Sequence, residues 1–169
     1  MFRPGERLEL IDGELVVREP EESPHATAID LALDALRAAF GPGWRVRVQL
    51  PIALDDESEP EPDLAVVRGA PRDYRDAHPS RPVLIVEVAD TSLSFDRQHK
   101  GSLYARAGVA DYWLVNLVKR VLEVRRVPMG WPSAPYGWRY RDVHMAGSSA
   151  SVAPLAAPAT RIAVADLLP

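Results

Sequence analysis

The sequence contains no cysteine. That excludes a disulfide framework, a thiolate nucleophile and any cysteine-ligated metal, and it makes a reducing interior the natural compartment. Lysine is almost as scarce: of 20 basic residues, only Lys100 and Lys119 are lysines. A chain that habitually uses arginine keeps lysine where the broad guanidinium would not serve. No stretch approaches the roughly 20 apolar residues that a membrane-spanning helix needs, and "MFRPGERLEL" lacks the basic start and apolar core of a signal peptide. A soluble, cytoplasmic protein with no membrane partner is the expectation. Also missing is the basic excess of a nonspecific nucleic-acid binder, since the formal net charge is −4. The charge is unevenly spread, however. Residues 1–62 hold 6 Arg against 14 acids, and residues 63–169 hold 14 Arg plus Lys against 10, so a basic face on the C-terminal part is compatible with the acidic total.

What remains is a chain of 169 residues with 47% hydrophobic content, the size and composition of a single domain over 1–169. "LELIDGELVV" sets Asp12-Gly13 between two apolar segments, as a two-residue hairpin turn requires. After the acidic "REPEES", Ser23 as N-cap and Pro24 as first helical residue open an amphipathic helix. Ile29, Ala32, Leu33, Leu36 and Phe40 share its apolar face, and Gly41 ends it. "WRVRVQLPIAL" alternates Trp44, Val46, Val48 and Leu50 against polar residues, a strand with one buried face. Further strands are expected at 63–67 and 83–89, a helix through "FDRQHKGSLYARA" to Gly108, and a strand pair, "DYWLVNLV" and "RVLEVRRV", joined near Lys119-Arg120. Residues 128–169 read as peripheral strands and loops. The order predicts an α/β or α+β fold, a mixed sheet flanked by helices and opened by an N-terminal hairpin.

Within "PVLIVEVAD" the near-continuous aliphatic run predicts a central strand covered on both faces, which buries Glu87. An ionised carboxylate there has to be protonated, paired with a cation or bound to a metal. Asp63, at the start of "DLAVV", supplies a second acid. Two carboxylates from adjacent strand ends, with a backbone carbonyl such as that of Val88, make an all-oxygen site suited to magnesium. Asp96, Lys100 and Tyr104 recur every four residues and share a helix face. A lysine ammonium beside such a metal can contact a phosphate oxygen or help deprotonate a bound water, which suits phosphodiester hydrolysis. Each residue also has a plainer explanation. Asp63 could hydrogen-bond the turn before its strand, Glu87 could pair with an arginine, and Lys100 could be a solvated helix residue. Asp96 would be stabilised by the helix dipole, and Tyr104 is an ordinary core aromatic. His25, Gln49 and Glu14 are candidates to face the cleft, with capping or surface roles as the alternatives. "DDESEPEPD" lacks the turn glycine and the terminal glutamate of an EF-hand.

These residues carry a resemblance. "PD" at 62–63 followed by "EVA" at 87–89 is similar to the PD-(D/E)xK nuclease signature, with Ala89 in the lysine position. The stretch "IVEVADTSLSFDRQHKGSLYARAGVADYWLV" resembles the bacterial "putative restriction endonuclease" family of that superfamily, in which the lysine has moved to the following helix in a D-x-x-x-K-x-x-x-Y pattern matched by Asp96, Lys100 and Tyr104. "LELIDGELV", His25, "VQLPIAL" and "GVADYWLV" fit the same pattern, so the resemblance spans roughly residues 7–127; Asn116 stands where the family commonly has an acid. The resemblance implies a restriction-endonuclease-like core, cleavage of DNA dependent on magnesium (with manganese as substitute), and a homodimer. It places Asp63, Glu87 and Lys100 as the catalytic residues. The competing expectation is a nuclease-fold protein that has lost turnover and serves as a DNA-binding or assembly module.

Overall fold

Asp12 and Gly13 both take left-handed backbone, with φ of 49° and 79°, and close the tight turn between β1 (Leu8–Ile11) and β2 (Glu14–Val17). This hairpin is a two-stranded sheet of its own, tied to the 55–61 loop by Glu59 N–H to Leu10 O and Gly13 N–H to Glu57 O, both 2.8 Å. The structure is a computed structural model and describes residues 3–169. Helix α1 (Ser23–Phe40) follows, with Pro24 in its first turn; its cap is Glu22, one residue before the expected Ser23. Ala28, Ile29, Ala32, Leu36 and Phe40 are its buried stripe.

The main sheet has six strands in the order β3 (Trp44–Val48), β4 (Leu64–Arg68), β5 (Leu84–Ala89), β6 (Asp111–Asn116), β7 (Val121–Gly130) and β8 (Trp138–Ala146). Every neighbouring pair is antiparallel except β5–β6. A parallel pair needs a crossover, here α2 (Leu93–Phe95), one turn of π-helix (Asp96–Lys100) and α3 (Gly101–Arg106). The fold is thus the expected mixed α+β sheet with flanking helices.

Strand parity sorts the core. Leu84, Val86 and Val88 pack with α1, whereas Ile85 packs with Tyr104 and Ala105 of α3, so Glu87 and Ala89 point to the α3 side. All six residues of β5 and all six of β6 are buried, as a strand covered on both faces must be.

One expectation is corrected. Gln49 has φ of 50°, which turns the chain out of β3, so Leu50 is exposed rather than continuing the buried alternation. Beyond residue 127, β7 runs on to Gly130 and β8 forms the largely exposed edge strand of the main sheet. The short pair β9 (Ser151–Val152) and β10 (Ile162–Ala163) leads to a 3₁₀ turn, Val164–Leu167, and Val164 and Leu167 are buried in the same cluster as α1. Among the described residues no helix is long and apolar enough to cross a membrane.

Candidate active site

Register brings the two acids together. Leu64 pairs with Val86, so Asp63 lies opposite Glu87, and the Asp63 backbone N–H donates to Glu87 Oε2 at 3.1 Å. In return Asp63 Oδ2 accepts from the Val88 backbone N–H at 2.8 Å. The crossover helix supplies the cation: Lys100 Nζ donates to Glu87 Oε1 at 2.9 Å and to Glu9 Oε1 at 3.0 Å, and the Tyr104 hydroxyl donates to the same Glu87 oxygen at 2.6 Å. Asp96 is buried one turn earlier and accepts from the Ser92 hydroxyl at 2.6 Å. These groups border a cavity of about 510 Å³ whose lining carries eight acids against Arg18, Lys100 and His25.

The electrostatics follow from that imbalance. Burial pushes Glu87 up to about 8, with Lys100 opposing and Asp63 and Asp96 adding to the rise. Asp63 goes the other way. Burial would raise it, but the His25 hydrogen bond and the Arg18 charge outweigh burial and hold it down at about 2. Lys100 is raised and stays protonated, because Glu87, Glu9 and Asp96 together overcome its desolvation.

Asp63 is the best-served acid. Arg18 pairs with its Oδ1. His25 Nε2 sits 2.7 Å from the Val88 carbonyl and 3.4 Å from Asp63 Oδ2, between two oxygens that a cation would also use. His25 Nδ1 is buried without a hydrogen-bond partner among the described residues, 3.8 Å from Glu21. Glu21, His25 and Asp63 each offer a ligand atom within 4.8 Å of one another. The donor set of carboxylate, carbonyl and imidazole groups, carrying excess negative charge, fits a divalent cation.

The family model described as "Uma2: Putative restriction endonuclease" matches residues 2–164. The chain belongs to this family. The fold agrees: a crystal structure of "a putative nuclease belonging to DUF820" from Anabaena variabilis superposes with a TM-score of 0.70 at 15% identity, covering 99% of this chain and 92% of that one. No curated protein matches the chain.

Of the residues singled out from the sequence of this family member, Asp63, Glu87, Val88, His25, Asp96 and Lys100 line the cavity, and Tyr104 reaches it through Glu87. Gln49 lies 3.5 Å from Asp63 Oδ1 and also donates to Glu21. Glu14 does not belong: it is exposed at the hairpin tip, opposite Ile11, and lines no part of the cavity. The acid that the hairpin contributes is Glu9, 3% exposed. Glu9, Arg18 and Glu21 were not foreseen. The signal for Glu9 was its parity with Ile11, since β1 buries the Glu9–Ile11 face and leaves Leu8 and Leu10 half-buried.

Proposed function

We propose that the protein is a metal-dependent endonuclease that hydrolyses DNA phosphodiester bonds. One observation carries this reading. Asp63, Glu87 and Lys100, from two strands and a helix, meet within hydrogen-bonding distance at the wall of one cavity. The Val88 carbonyl and the carboxylates of Asp63 and Glu87 would hold magnesium, with Glu21 and His25 beside them. Bound there, the ion would offset the charge of the attacked phosphate and acidify a water. The chain's own groups do the rest. Lys100, held as an ammonium by Glu9 and Glu87, orients the attacking water and offsets charge on the phosphate oxygens. Tyr104 fixes Glu87, and Arg18 and His25 fix Asp63. A cavity so rich in acids repels a bare phosphate, which is itself a reason to expect a cation in it.

The decisive experiment is plasmid cleavage with and without magnesium, run beside the Asp63→Ala protein. Nicking that needs the ion and disappears in the variant supports the reading, and identical products from both proteins remove it. One observation favours a second reading, a DNA-binding module without turnover: Arg18 and His25 already satisfy Asp63. That protein would bind DNA without nicking it under any divalent ion.

A further inference from the structure

A second cavity, of about 410 Å³, lies on the other side of the helical segment that carries Lys100, between it and the β7–β8 hairpin. We propose that it docks one unstacked nucleotide of single-stranded DNA, placing a strand held at the acidic site across the helix. This rests on the nuclease reading for the polymer's identity.

Three features carry it. The first is charge. Arg97, Arg125 and Arg139 line this cavity and no acid does, the reverse of the acidic cavity across the helix. The second is rigidity. Glu123 lies beneath and clamps two of these guanidiniums, Arg97 Nε reaching both of its oxygens at 3.1 Å and Arg125 Nη2 one of them at 2.8 Å. Guanidiniums already fixed by a carboxylate lose little rotamer freedom when they take a phosphate. The Arg125 Nε–H is buried without a partner among the described residues. The third is a stacking surface. Trp131 and Trp138 are 40% and 38% exposed at the cavity rim, and the Arg139 guanidinium lies over the Trp131 ring at 3.5 Å. Indole and guanidinium planes are what an unpaired base stacks on, whatever its identity. A base inside a duplex has both faces covered and could not use them.

An aromatic ridge runs from the acidic cavity toward the second and ends at Tyr136, next to the lining residue Pro135. Phe95, at the edge of the acidic one, stacks on His99 with centroids 5.2 Å apart, and His99 meets Tyr136 edge-on at 6.1 Å. Ser102 pins the hairpin to the helix, donating to Trp138 O at 2.7 Å and accepting from Tyr136 N–H at 3.0 Å. The path across the ridge is therefore fixed in place.

The test is fluorescence anisotropy of the full chain with a short labelled oligothymidylate, in EDTA so that nothing is cut. An abasic oligomer and a blunt duplex serve as comparators. Trp138→Ala should weaken oligothymidylate binding roughly tenfold or more, the usual effect of losing one stacking platform, and Trp138→Phe should retain most of the affinity. Arg139→Ala should weaken binding and flatten its salt dependence, and the abasic oligomer and the duplex should bind less well than oligothymidylate. Unchanged affinity in a Trp138→Ala protein that unfolds in urea like the parent overturns the proposal. So does equal binding of the abasic oligomer, or a parental dimer that Trp138→Ala dissolves, which would make the indoles a contact between copies. Cleavage with magnesium is scored separately. A chain that never cuts, yet loses oligothymidylate on Trp138→Ala, sinks the nuclease reading and leaves this site standing.

Discussion

Glu87 and Glu123 occupy one cross-strand row of the main sheet, each opposite Leu114 in the register of β5, β6 and β7, and both are buried, at 2% and 0% exposure. Two strand spacings, about 10 Å, separate them. Their surroundings are opposed. Glu123 receives two guanidiniums and the Asn116 side-chain amide, which outweigh burial and hold it down at about 2. Glu87 shares a single ammonium with Glu9, borders a cavity lined by other acids, and is pushed up to about 8. Burial alone therefore decides nothing about a carboxylate. Glu123 is neutralised, which is what a structural ion pair needs. Glu87 is left short of positive charge, which is what a site awaiting a cation needs.

Removing the ammonium that hydrogen-bonds Glu87 should have the largest effect. Lys100→Ala is expected to cut plasmid nicking by roughly 10²- to 10⁴-fold, measured with magnesium in excess. Next is a pair of neutralising substitutions at the two glutamates. Glu123→Gln strands two arginines and should lower urea-unfolding stability by about 2–4 kcal/mol, below the full effect of breaking a buried pair because Arg97 keeps 32% exposure. Glu87→Gln replaces an acid that keeps its proton up to about pH 8 with a neutral amide, and should leave stability at pH 7 within about 1 kcal/mol of the parent while abolishing cleavage. Equal losses at both positions would erase the distinction.

The pH profile separates them by sign. Glu123 is lowered on folding from 4.5 to about 2, so its contribution is in place above 4.5 and is lost as pH falls from 4.5 through 2. Glu87 is raised from 4.5 to about 8, so the folded state keeps a proton that the unfolded chain gives up, and stability declines as pH rises from 4.5 to 8. Thermal unfolding across pH 2 to 9 should show the alkaline decline shrink in Glu87→Gln and the acid decline shrink in Glu123→Gln. The smallest effects belong to single neutral side chains. Tyr104→Phe removes one hydrogen bond and Asn116→Ala two, at about 1 kcal/mol each. Carboxyl NMR titration should then find Glu87 raised further in the first and Glu123 moved back toward 4.5 in the second.

Much of the frame was legible because it is local. Asp12-Gly13 specifies its turn, the β5 aliphatic run announces a strand buried on both faces, and the spacing of Asp96, Lys100 and Tyr104 put all three on one inward side even though the chain widens to a π-turn over Asp96–Lys100. The residues that escaped are fixed by distant partners. Glu9 looks like the polar half of an alternating strand until the Glu61 backbone N–H, 52 positions away, is seen at 2.8 Å from its carboxylate. Arg18 and Glu21 sit in an acidic stretch that reads as a loop, and its docking over Asp63, with which Arg18 pairs, brings them to the site. Glu14, offered as a cleft candidate with a surface role as the alternative, takes the surface role, and parity with Ile11 turns Glu9 inward instead. Asn116, an apparent departure from the family pattern, serves Glu123, donating at 3.0 Å.

The scarcity of lysine has a practical corollary. Lys100 is enclosed at 4% exposure, and Lys119 stands in the open at the β6–β7 turn. Amine-reactive dyes and coupling resins will therefore attach side chains at that turn alone, so a tethered or labelled protein keeps its interior ammonium untouched.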